Sequence, residues 1–199
     1  MQNLADGLES VQRSKDETII EDLMARRDGD EEEDYKPTVS LLGKGETVRF
    51  QSGPSLSIAG IGIQAGLINK GLGVFLEYSD GRSSGTDALK GVKRSSLGLF
   101  SQFQAKALES LIWTLELGAG TEKTVAEAKA GNEQLEISGI HISYRLGIGL
   151  RFTDHFTIDF GPMGSQFYEQ DRKEDEGLSS LKLKPSFLNG AYARLNYTL

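Results

Sequence analysis

Residues 139–161, GIHISYRLGIGLRFTDHFTIDFG, alternate with a strict period of two. Ile140, Ile142, Tyr144, Leu146, Ile148, Leu150 and Phe152 fall on one parity. His141, Ser143, Arg145, Gly147, Gly149 and Arg151 fall on the other. Thr153-Asp154-His155 interrupts the run, and Phe156, Ile158 and Phe160 then alternate with Thr157 and Asp159. Side chains of a β-strand point to opposite faces in turn, so this is a hairpin with one long apolar face. The environment of that face decides what the chain is.

The same period recurs along the chain. Ala59–Leu67, Leu72–Tyr78, Leu97–Ala105, Leu111–Ala119 and the C-terminal run from Leu181 to Leu199 each carry apolar residues on one parity. A further strand within 38–50 is expected to pair with 55–67 across Gln51–Pro54, giving eight strands. Polar stretches at 79–94, 121–134 and 169–180 read as long loops. Short turns are expected near Asn69-Lys70, Ala107–Glu109 and Thr153–His155. Long loops at one end and short turns at the other predict an all-β, eight-stranded, antiparallel up-and-down barrel over residues 37–199. Residues 1–36 differ: Leu4, Leu8 and Val11 have helical spacing, and an acidic linker follows. They read as a short N-terminal helical and acidic segment.

Two barrels fit such strands. A soluble lipocalin-like barrel holds its apolar face inside and binds a hydrophobic ligand there. A transmembrane barrel turns that face to lipid. The polar parity decides for the second, because it is dominated by glycine instead of the Lys, Glu and Thr of a water-facing strand. Its isolated charges, Glu77, Glu116, His141, Arg145, Arg151, Asp159 and Arg194, carry both signs and are expected to form a lumenal polar network. Residues 50–69 hold no charge and contain Gly62-x-x-x-Gly66, which raises a transmembrane helix as a competitor. Their glycines, serines and proline, and the alternation that continues after them, favour strand.

The hairpin YRLGIGLRFTDHFTIDFG and the terminal AYARLNYTL resemble the small outer-membrane barrels of Gram-negative bacteria, of the OmpA-transmembrane-domain and OmpX type. The resemblance covers about four-fifths of the chain. It implies a bacterial outer-membrane location, a shell of outer-membrane lipids, extracellular long loops, and periplasmic turns and N-terminal segment. It also implies a cleaved signal peptide; none is visible at residues 1–36, so the chain reads as a mature form. The family's assembly signal is an aromatic-rich last strand most often ending in Phe. Leu195 and Tyr197 fit it, and Leu199 departs from it.

Composition narrows the function. The chain has no cysteine, which removes thiol catalysis and Cys-based zinc sites, and its net charge of −7 argues against nucleic-acid binding. Glycine, at 24 residues, disfavours a helical bundle. GKGETVRF (43–50) lacks the upstream glycine and the Ser/Thr of a phosphate loop. Asp154, His155 and Asp159 could ligate a metal but read as turn and strand-start residues, so no metal or cofactor is expected.

His141-Ile142-Ser143 is the sharpest catalytic candidate. If Glu116 lay beside His141 across a hairpin whose paired numbers sum to about 257, the three could activate a serine. The stretch resembles the His-x-Ser-Asn motif of outer-membrane lipid A deacylases, with Tyr144 in place of Asn. An inward serine is poorly placed for lipid, so a hydrogen-bonded interior is the plainer reading. The overall expectation is a non-enzymatic outer-membrane barrel with a structural, adhesive or assembly role, able to dock a periplasmic or membrane protein through Leu4, Leu8 and Val11. A lipid A- or phospholipid-modifying enzyme is a further alternative.

Overall fold

A computed structural model describes residues 35–49, 55–86, 89–129, 133–174 and 190–199. The N-terminal helical segment and the first part of the C-terminal run lie outside these residues. Eight strands follow in chain order: β1 (Lys36–Arg49), β2 (Ser55–Asn69), β3 (Leu72–Ser84), β4 (Leu89–Lys106), β5 (Leu111–Ala128), β6 (Gln134–Arg151), β7 (Phe156–Glu174) and β8 (Gly190–Thr198). Each is antiparallel to the next, and β8 pairs with β1, so the sheet closes. The strand expected within 38–50 is β1, beginning at Lys36. The stretch weighed as a helix is mostly β2, with Gly62 facing inward.

Register fixes the barrel's dimensions. Following paired residues from Lys36 leads to Ile68, Gly73, Gln102, Glu116, Arg145, Met163 and Gly190. The path returns to β1 at Glu46, ten residues beyond its start. With a ~3.3 Å rise and ~4.8 Å strand spacing, that stagger tilts the strands by roughly 40°. The β2–β3 connection is a two-residue turn, Lys70-Gly71, with φ of 45° and 86°. Left-handed backbone at both positions matches the right-handed twist of a hairpin, and glycine takes the second without strain.

The apolar parity faces outward. Ile61 is 69% exposed, Leu99 59%, Leu117 56% and Leu76 55%. Together with Val39, Leu41, Trp113, Ile142, Leu146 and Leu195 they form a continuous outer band. On β5 the band runs from Leu111 to Ala119, about 20 Å along the axis at this tilt, close to the ~25 Å apolar height of outer-membrane barrels. Such a patch in water would far exceed the few hundred Å² a soluble monomer exposes. The lipocalin-like reading therefore fails on the direction of the side chains.

Beyond the band the alternation inverts. On β5, Thr121 and Lys123 face out while Ala126 and Ala128 are buried inside. On β6, Ser138 and Glu136 take the outward parity while Leu135 and Ile137 are buried. Val48, Leu56, Ile58, Leu89, Val92, Ala126, Ala128, Leu135 and Ile137 form one inner apolar core, with Phe167 against it. This corrects the expectation of long loops at 79–94, 121–134 and 169–180: much of each is strand. Strands that leave a bilayer for water put polar residues outside, and that change of phase looks like a loop in the sequence.

Inward glycines let the wall curve tightly. A Cβ at Gly120 would fall on the Leu97 carbonyl oxygen and on Gly98 Cα, whereas one at Gly45 meets nothing within 4 Å. Gly120→Ala is expected to cost about 1–3 kcal/mol and to lower the urea midpoint of refolded protein. Gly45→Ala should leave that midpoint unchanged.

Candidate functional site in the barrel lumen

Cross-strand register brings the predicted charges together. Gln64 lies opposite Glu77, Glu116 opposite Arg145, and Asp159 opposite Arg194. Arg145 donates through Nη1 to Glu77 Oε2 at 2.6 Å and through Nη2 to Glu77 Oε1 at 2.7 Å. Its Nη1 also donates to Glu116 Oε1. Arg194 holds Asp159 by two bonds, Nε to Oδ1 at 3.0 Å and Nη2 to Oδ2 at 2.5 Å. Its Nη1 reaches Glu116 Oε2 and the Gln64 Oε1, the latter at 2.9 Å. Gln64 Nε2 donates to Glu77 Oε2 at 2.8 Å and to Glu116 Oε1 at 3.2 Å.

Glu116 is thus the bridge between the two guanidiniums, and all these side chains are buried. Aromatic faces complete the wall. The Arg145 Cζ lies 4.6 Å from the Phe100 ring centre, and the Arg194 Cζ lies 5.7 Å from that of Tyr192. Planar guanidinium against planar carboxylate gives two parallel bonds per pair, which is the strong geometry for a desolvated ion pair.

A second polar layer sits nearer the inner apolar core. Arg94 pairs with Glu46 at 2.8 Å and with Glu122 at 2.5 Å. Lys44 donates to Ser79 at 2.6 Å, and Ser79 shares a 2.7 Å bond with Ser96. His141 belongs here, its Nδ1 3.9 Å from a Glu122 oxygen and without a hydrogen-bond partner among the described residues. Sequence reasoning missed Gln64, Lys44, Glu46, Arg94 and Glu122. Gln64 shares the inward parity and could have been found from it. Arg94 and Glu122 fall in stretches read as loops.

The proposed catalytic set is not assembled. Glu116 lies opposite Arg145, and His141 lies opposite Gly120. The register differs by four residues from the one that would join Glu116 to His141. That other register would set Arg145 against Ile112, leaving its charge buried and unpaired. Ser143 is buried on the lumenal parity, two residues from His141. Glu116 and Glu122 are both engaged by arginines, so neither stands free as a general base. Arg151 also departs from expectation: it ends β6, is half-buried, and joins no ion pair among the described residues. His155 lies in the β6–β7 turn, where its Nδ1 is 2.7 Å from the Thr198 carbonyl oxygen and ties the turn to the last strand.

The closed eight-stranded topology and its outward apolar band can now be set beside known structures. Neisserial surface protein A (NspA) superposes with a TM-score of 0.61 at 12% identity, over 82% of this chain and 96% of that one. Ail, the attachment invasion locus protein of Yersinia pestis, superposes with a TM-score of 0.50 at 14% identity, over 83% and 99%. This is the fold of the small outer-membrane barrels. No protein-family model matches the sequence, and no curated protein matches it significantly. The likeness is one of fold, carried by strand number, closure and side-chain polarity.

Removing one partner of a buried pair leaves a stranded charge. Arg194→Met is expected to cost about 3–5 kcal/mol, read as a fall in the urea midpoint of protein folded into lipid vesicles. Arg151→Met, outside the network, should stay within about 0.5 kcal/mol.

Proposed function

We propose that this protein is a non-enzymatic integral outer-membrane barrel whose working surface is its loop-bearing end, with a structural, adhesive or assembly role. The observation that carries this reading is the inversion of polarity along the strands. The lower part presents an apolar exterior suited to lipid. The upper part carries an apolar inner core and a charged exterior suited to water. A barrel that extends its own wall out of the bilayer offers a rigid platform for contacts.

Side chains fill the lumen in two polar layers under an apolar one, so the barrel supplies position instead of passage. In planar lipid bilayers the folded protein is expected to give no single-channel steps. Well-resolved steps with conserved amplitude would make it a channel and overturn the reading. Lipid A and phospholipid hydrolysis should also be absent from both wild type and Ser143→Ala; turnover lost in the variant would establish an enzyme.

Residues 1–36 supply the second contact surface in this reading. An amphipathic turn presenting Leu4, Leu8 and Val11 would dock a periplasmic or membrane protein, with the acidic linker as a spacer. Cross-linking in intact cells should give a discrete adduct from a probe within residues 1–36. Replacing Leu4, Leu8 and Val11 together by Ser should remove it; an unchanged adduct would sink this part.

A further inference from the structure

His141 is 4% exposed, and its Nδ1 has no hydrogen-bond partner among the described residues. That nitrogen lies 3.9 Å from a Glu122 oxygen, the same oxygen that accepts from Arg94 Nη2 at 2.5 Å. Arg94 also reaches Glu46 on β1 at 2.8 Å, so it ties β4 both to β1 and to β5. The other strands complete the surroundings of the ring. Lys44 comes from β1 and donates to Ser79 on β3. Glu77 on β3 is taken by Arg145, and Arg194 on β8 is taken by Asp159 and Glu116, all in the layer below. The Phe100 ring on β4 lies 6.5 Å away, and β2 and β7 bring the uncharged Gly62 and Phe167. Within the second layer, Lys44 and Arg94 thus stand against Glu46 and Glu122. The layer is balanced while His141 is neutral.

We infer that His141 is an acid-sensitive pin for the protruding wall: a proton on its ring breaks the Arg94–Glu122 contact and loosens the strands above it. An imidazolium here is a third cation in a balanced layer closed to water, where an uncompensated charge is costly. It competes with Arg94 for one Glu122 oxygen and repels both Arg94 and Lys44. Above Arg94, Glu122 and His141 on the same strands lie Val92, Ala126 and Ile137 of the inner apolar core. Arg94 is the tie from these strands to β1, so its displacement frees this part of the wall. The loosened wall takes up the proton near the ordinary imidazole value of about 6.5, while the intact layer disfavours it. Opening is therefore independent of pH above that value and rises up to about tenfold per pH unit below it. Ordinary carboxylates titrate below about pH 4.5. Of the side chains with ordinary titration, that leaves the chain's two histidines to respond between about pH 7.5 and 5.5.

The inference rests on the reading of the upper wall as a platform standing in water, and the test separates the two. Amide hydrogen exchange of the full chain in phosphatidylcholine nanodiscs is followed by mass spectrometry at about pH 7.5 and 5.5, the histidine window. Rates are corrected for the intrinsic pH dependence of amide exchange. Residues 122–128 of β5 and 134–138 of β6 are expected to exchange about fivefold to tenfold faster at the lower pH. Residues 111–119 of β5, within the lipid-facing band, should not change. His155 lies in the exposed β6–β7 turn, so His155→Gln should behave as wild type. His141→Gln should exchange equally at both pH values. Equal rates in wild type, or acceleration that survives in His141→Gln, overturns the pin. Acceleration that extends through residues 111–119 shows general acid weakening and also overturns it. Where His141→Gln does not fold, nitrogen-15 histidine spectra of the wild type decide. The buried ring is expected to be neutral at the higher pH, and an imidazolium signal there overturns the inference. Unprotected residues 111–119 at the higher pH overturn the membrane reading itself, whatever the acid response.

Discussion

Glu116 accepts from Arg145 on one side and from Arg194 on the other, and the rest of the lumen is arranged around that bridge. Coulomb attraction is strong where water is excluded, but so is the cost of desolvation. The cluster offsets much of that cost by using most of its donors: two guanidiniums reach three carboxylates and Gln64, while the buried Arg145 Nε has no hydrogen-bond partner among the described residues. The strands bearing these groups span the whole sheet from β2 to β8, so the network couples opposite walls. It also selects register. A slip on β5–β6 would part Glu116 from Arg145, and a one-residue slip would turn every lipid-facing side chain inward.

Polarity along the strands supplies the second constraint. A half-exposed Leu or Ile in water forgoes on the order of 1 kcal/mol of burial, so a band this long has one favourable medium. Above the band the inside becomes apolar and the outside charged, as in a water-soluble barrel. Lys93–Glu127 and Lys123–Glu136 lie on that upper exterior. Such exposed pairs contribute little to stability, so their role is to keep the protruding wall wetted. The two halves share one continuous backbone sheet and differ only in which face is greasy.

The proposed role rests on this division. The lipid-embedded part, filled by a charge network, gives anchorage. The protruding part has its own inner core of apolar side chains. Among small outer-membrane folds the barrel is a scaffold on which distinct surfaces can be carried.

Much of this was legible in the residues alone. The period of two gave strands. The glycine-rich polar parity gave the direction of the apolar face, because water-facing strands do not spend that face on glycine. Short turns at Asn69-Lys70, Ala107–Glu109 and Thr153–His155 gave the up-and-down order. Glu77, Glu116, Arg145, Asp159 and Arg194 could be named as lumenal because parity places a side chain on a face without knowledge of its partner. Pairing could not be read this way. Register depends on which distant groups meet when eight tilted strands close, and closure set Glu116 against Arg145, with His141 left to Glu122. The extent of the upper strands was hidden for a related reason. A strand in water and a loop in water both present polar residues, and only the inner core of Leu89, Val92, Leu135 and Ile137 distinguishes them. Sequence therefore determined which face each residue takes, a local property of the backbone. Tertiary structure decided which residues meet and where the bilayer ends, because both depend on the closed sheet as a whole.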